Sequence, residues 1–138
     1  MLWCGSSIFN TVTEPPQDLA GMALVNREGY LNAESGIKIS ETVTFYEDNQ
    51  FMIESYPLDQ GFECTELPCT SPSVVIGYTL FSGTYNQNED VIRFEGIDST
   101  TGSNVTKVYV IRQSKAKPTT FEVSMSGVCR SEFIKDGY

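Results

Sequence analysis

Hydrophobic and polar residues alternate with a period of two along much of this chain, the pattern of strands with one buried face. From Ile37 to Tyr46, Ile39, Val43 and Phe45 share one parity and Lys38, Thr42 and Thr44 the other. Glu47-Asp48-Asn49 then reads as a tight polar turn, and Gln50–Tyr56 returns with Phe51, Ile53 and Ser55 on one side. A second hairpin is expected between Ser73 and Gly96. In it Val74, Ile76, Tyr78 and Leu80 share a face, Asn86–Asp90 supplies turn chemistry, and Ile92 and Phe94 return opposite them. Val105–Arg112 sets Tyr109 and Ile111 against Val108 and Val110, Thr120–Ser126 points Phe121, Val123 and Met125 inward, and Cys129–Phe133 adds a short last strand. Upstream, Leu19–Val25 reads as the first core strand, and Asn26–Gly36 as a polar, glycine-punctuated stretch anchored by Tyr30 and Leu31.

β-Branched and aromatic residues dominate these segments and turns recur closely, so about seven to nine strands and no helix are expected. Exposed strand edges invite aggregation, and closure into a single antiparallel up-and-down barrel removes them. Two segments stand outside the pattern. Residues 1–18 carry Gly5-Ser6-Ser7 and Glu14-Pro15-Pro16 and read as an arm or tether to a barrel domain over 19–138. The Pro57–Pro72 loop holds three of the six prolines, which remove ladder donors, and forms either a stapled surface loop or a rim over the barrel mouth.

Length and composition agree with one globular domain: 138 residues, 40% hydrophobic and 12% aromatic. No run approaches the roughly 18 apolar residues of a membrane span. Met1-Leu2-Trp3 leaves no room for the apolar stretch of a signal peptide, so an exported form is expected to have lost its signal. The net charge of −9 argues against nucleic acid, whose phosphates require a basic face. It is also uneven: residues 1–98 hold 15 acids and 3 bases, residues 99–138 hold 3 acids and 6 bases.

Histidine is absent from the chain. That removes the usual general base and the commonest metal ligand, and favours a non-enzymatic protein without metal or cofactor. Cys4, Cys64, Cys69 and Cys129 form an even set that suggests disulfides and export to the periplasm, cell surface or medium. Three pairings are open. Cys64–Cys69 would close a short loop, and Cys4–Cys129 would tie the ends together and stabilise by about 4–5 kcal/mol. Their spacing matches no zinc knuckle. Asn86, Asn88 and Asp90 have the opening spacing of a calcium loop, but Val91 and Ile97 stand where it requires Gly and Glu. The acidic pairs Glu47-Asp48 and Glu89-Asp90 fall at expected hairpin tips, poorly placed for acid–base work. Asn104-Val105-Thr106 is a glycosylation sequon if the source is eukaryotic and secretory.

In order along the chain come Leu19-Ala20-Gly21-Met22-Ala23-Leu24, the hairpin Thr42-Val43-Thr44-Phe45 to Phe51, Gly83-Thr84-Tyr85 before Ile92-Arg93-Phe94, and Tyr109-Val110-Ile111. This pattern resembles the small bacterial lipocalin-like domains. Ala23 stands where that family carries a tryptophan, and the one tryptophan here is Trp3. Cys4-Gly5-Ser6-Ser7 resembles the mature start of a bacterial lipoprotein, which would put a lipid anchor on Cys4, although Trp3 precedes it where that motif has Gly or Ala. The resemblance implies binding of a small apolar or amphipathic molecule inside the barrel. Phe45, Phe51, Tyr78, Phe94, Tyr109 and Phe121 are the inward aromatics expected to line that pocket or to fill the core instead. The alternative is a protein-interaction module, such as an inhibitor, immunity protein or envelope component, using the acidic face and the Pro57–Pro72 loop. Its binding would weaken with salt, whereas apolar pocket binding would barely respond.

Overall fold

The computed structural model describes residues 12–32, 37–57, 79–125 and 128–136. They form nine strands: β1 (Thr13–Glu14), β2 (Ala23–Asn32), β3 (Ile37–Phe45), β4 (Gln50–Pro57), β5 (Thr79–Asn88), β6 (Val91–Asp98), β7 (Asn104–Ser114), β8 (Thr120–Met125) and β9 (Val128–Lys135). From β2 to β9 each strand pairs antiparallel with its sequence neighbour. β9 then pairs back onto β2 through Leu24↔Lys135 and Val25↔Ile134, which closes eight strands into an up-and-down barrel. β1 lies outside that ring, where Thr13↔Ser114 and Glu14↔Gln113 extend the far end of β7. The fold is all-β and consistent with a lipocalin-like barrel. Among the described residues the only helical element is the short 3₁₀ turn Glu47–Asn49.

The β3–β4 turn falls where short polar residues tolerate left-handed backbone, Asp48 (φ 61) and Asn49 (φ 58), and the β5–β6 turn takes the same conformation at Glu89 (φ 57). Gly83 and Gly96 are direct partners across β5 and β6. A Cβ on Gly83 would lie 2.1 Å from the Glu95 carbonyl oxygen, and one on Gly96 1.9 Å from that of Ser82. Only glycine permits this approach of the two backbones, which lets the hairpin bend as a barrel corner requires.

Three details depart from the alternation read along the chain. The segment expected as the first core strand enters the ladder only at Ala23, because Leu19 and Met22 form a turn closed by the Met22 N–H donating to the Leu19 carbonyl at 2.9 Å. The polar stretch after it is strand, not loop: β2 runs to Asn32 across a bulge between Asn26 and Tyr30, where Gly29 takes φ 77. In β5 the inward face is the odd one. Phe81 and Tyr85 are buried there, while Leu80, expected inside, is half-buried, and the ladder runs to Asn88. A shift of one residue exchanges the two faces of a strand. Val74, Ile76 and Tyr78 lie outside the described residues, as do Trp3, Cys4, Cys64, Cys69 and the Pro57–Pro72 loop beyond Pro57; Cys129 falls within β9.

At one end, the base, Leu19 and Met22 join the core beneath the barrel. The Gln87 side chain donates to the Pro16 carbonyl at 2.8 Å, and Arg112 donates to the Thr13 carbonyl at 2.8 Å while pairing with Asp90 at 2.7 Å. Above them the lumen is packed with rings. Phe51 stands 4.7 Å from Phe94 and 4.9 Å from Phe81, and Phe45 stands 5.0 Å from Tyr85, all edge-on. Burying each such side chain contributes roughly 1.5–3 kcal/mol. The β2–β9 seam has a short ladder, and beyond it Asn26 donates to the Ser131 hydroxyl at 2.6 Å across the two strands.

Candidate functional site

β3 carries its inward parity as Ile39, Glu41, Val43 and Phe45. The last two enter the ring-packed base. Glu41 is only 3% exposed, a carboxylate inside the barrel. Register determines what surrounds it. Glu41 pairs with Ser55 on β4, Ser55 with Thr79 on β5, and Ile39 with Tyr30 on β2, so these side chains share the inner face. β7 stands opposite β3 in the ring and sends Tyr109 across the lumen.

Three hydroxyls converge on the carboxylate. Tyr109 donates to Oε1 at 2.7 Å, Tyr30 donates to Oε2 at 2.6 Å, and Ser55 donates to Oε2 at 3.1 Å. The two phenol contacts are as short as hydroxyl–carboxylate bonds to an ionised acceptor. Burial pushes the Tyr109 phenol well above its ordinary pKa, with the Glu41 charge and then Tyr30 adding to the shift. Burial also raises Tyr30, followed by the Glu41 charge. Both phenols therefore stay protonated and donate, and the Glu41 oxygens accept. Among the described residues no buried side-chain nitrogen or oxygen lacks a hydrogen-bond partner.

Above this cluster, at the mouth, lies a cavity of about 390 Å³ bordered by Tyr30, Ile39, Glu41, Thr79, Lys107 and Met125, among others. Glu41 and Tyr109, joined across the lumen at 2.7 Å, both border it and form its floor, with the Tyr109 ring 5.0 Å from that of Phe94 on the side of the base. Lys107 is opposite Phe94 in the β6–β7 register and so faces inward, with its Nζ 5.1 Å from the centroid of the Phe81 ring. Among the described residues the cavity thus joins an apolar wall to fixed hydroxyls, one carboxylate and one ammonium.

Of the six aromatics nominated from the sequence, Tyr109 borders the cavity. Phe45, Phe51, Phe94 and Phe121 are buried in the core, and Tyr78 lies outside the described residues. The acidic pairs are apart from this site. Glu47-Asp48 is exposed in the 3₁₀ turn, and Asp90 is engaged by Arg112 at 2.7 Å. Sequence reasoning missed Glu41 and Lys107, although parity marks both as inward, Glu41 between Ile39 and Val43 and Lys107 two residues before Tyr109. Among the described residues no three acidic or cysteine side chains are grouped to hold a metal ion, and no helix is long and apolar enough to cross a membrane.

Compared with protein-family models, curated proteins and solved structures, the chain shows no match to any of them.

Proposed function

We propose that this protein is a non-enzymatic binder of a small amphipathic molecule, held in the mouth of the barrel. The cavity of about 390 Å³ above the Glu41 cluster supports this reading most directly. Its size lies within the range of about 300–1,000 Å³ found for ligand pockets, and eight-stranded barrels suit one small ligand. Ile39, Met125 and the ring of Tyr30 offer apolar contact, and the hydroxyls, Glu41 and Lys107 can orient a polar group. The even cysteine count favours an exported, periplasmic or cell-surface setting, and the sequence resemblance favours a bacterial lipocalin-like carrier.

Native mass spectrometry on protein purified without detergent, set against the denatured mass, tests the reading. An adduct lost on denaturation, or uptake from a panel of fatty acids and dyes that Ile39→Trp blocks, is the expected result. No adduct together with no uptake overturns it. Uptake should also change little between low and high salt, whereas partner binding through the acidic face would weaken.

A further inference from the structure

Building on the pocket reading, we propose that the ligand carries a protonated amine, which the Glu41 carboxylate receives at the cavity floor. A carboxylate has about four lone-pair directions. Among the described residues three hydroxyls, from β2, β4 and β7, use three of them, two on Oε2 and one on Oε1, which leaves acceptor capacity there on a residue that borders the cavity. Among the described residues the groups that hydrogen-bond Glu41 are neutral, so they orient its charge without cancelling it. A desolvated anion facing a cavity is a strong acceptor for a cation that can donate hydrogen bonds. The rings of Tyr30 and Tyr109 border the same space, and aromatic rings of this kind can attract an ammonium. Among the described residues Lys107 is the other charged group bordering the cavity; its ammonium stands over Phe81, on the β5 side, at 5.1 Å from the ring centroid. The floor therefore selects for a cation, with the ligand's apolar part directed toward Ile39 and Met125.

The test is calorimetric titration of the full chain near neutral pH with hexylamine, hexanol and hexanoate, which share a chain and differ in the polar group. Hexylamine is expected to bind about tenfold tighter than hexanol, the scale of one charge-assisted hydrogen bond over a neutral one. In Glu41→Gln that ratio should fall to about one. The wild-type ratio is informative even if the variant fails to fold. Equal binding of amine and alcohol overturns the inference and leaves the pocket reading standing. Tightest binding of hexanoate also overturns it, and would assign the polar contact to Lys107. If none of the three binds and native mass spectrometry shows no adduct, the pocket reading fails and the inference with it.

Discussion

The base and the mouth of the barrel are built from the same strands and filled by opposite chemistry. β3 delivers Val43 and Phe45 to the base and Ile39 and Glu41 to the mouth; β7 delivers Ile111 to the base and Lys107 to the mouth, with Tyr109 at the boundary. In the base, rings 4.7–5.0 Å apart leave the lumen filled, and burial of apolar surface supplies stability without directional bonds. In the mouth, a buried carboxylate replaces an apolar side chain, and a cavity replaces packing. A buried ionic group of this kind is weak evidence for stability, since a well-packed hydrophobic replacement is often neutral or better. One half of the barrel thus holds the fold, and the other half uses that rigidity to hold a polar constellation in place.

The largest effect that would test this division is truncation of the central ring. Phe94→Ala should cost about 3–5 kcal/mol in urea unfolding, because four aromatic neighbours surround a residue with no exposed surface. Met125→Ala, half-buried on the cavity wall, should cost about 1 kcal/mol or less. Equal losses would mean that the mouth is core as well, and that the two halves are one.

A smaller effect sharpens the boundary itself. Tyr109→Phe keeps the ring against Phe94 but removes the donor that crosses the lumen to Glu41. Loss of a buried hydrogen bond to a charged group should cost about 1.5–3 kcal/mol. A double-mutant cycle with Glu41→Leu, which cannot accept the bond, assigns the loss: a coupling near zero would show that the floor of the cavity is not held by this bond.

How much of this was legible along the chain follows from the range of each interaction. The β3–β4 hairpin was readable because its period-two pattern and its turn residues agree locally, and Phe45 and Phe51 face inward as that pattern implies. β5 was not, because both of its parities carry large apolar residues; the choice of Phe81 and Tyr85 over Leu80 is made by the neighbouring strands and by the bend at Gly83. β2 after Asn26 looked like loop because its bulge and Gly29 interrupt the period. The candidate site was the least readable. Glu41 occupies an inward position by parity, but a glutamate there is taken as solvated until its partner is known, and Tyr109 lies 68 residues away. Closure of the barrel brings them together, and no local pattern encodes that.

The smallest effect tests the same cluster through its protons. Burial, then the nearby Glu41 charge, raises the Tyr30 and Tyr109 phenols above their ordinary value, and burial followed by Glu47 raises Tyr85 in the same direction. Below about pH 10 the phenols are protonated in both the folded and the unfolded chain, and the shifts have no effect on stability. Above it the unfolded chain gives up phenolic protons that the barrel still holds, so stability must fall as pH rises. Each such tyrosine contributes a slope of about 1.4 kcal/mol per pH unit until its folded value is reached. Urea midpoints measured across this alkaline range should therefore drop for the wild type, and drop less steeply in Tyr109→Phe by the contribution of one phenol. A slope unchanged by the substitution would mean that Tyr109 ionises as readily in the barrel as outside it. The enclosed floor between base and mouth would then be open to water, and the contrast between the two halves would lose its boundary.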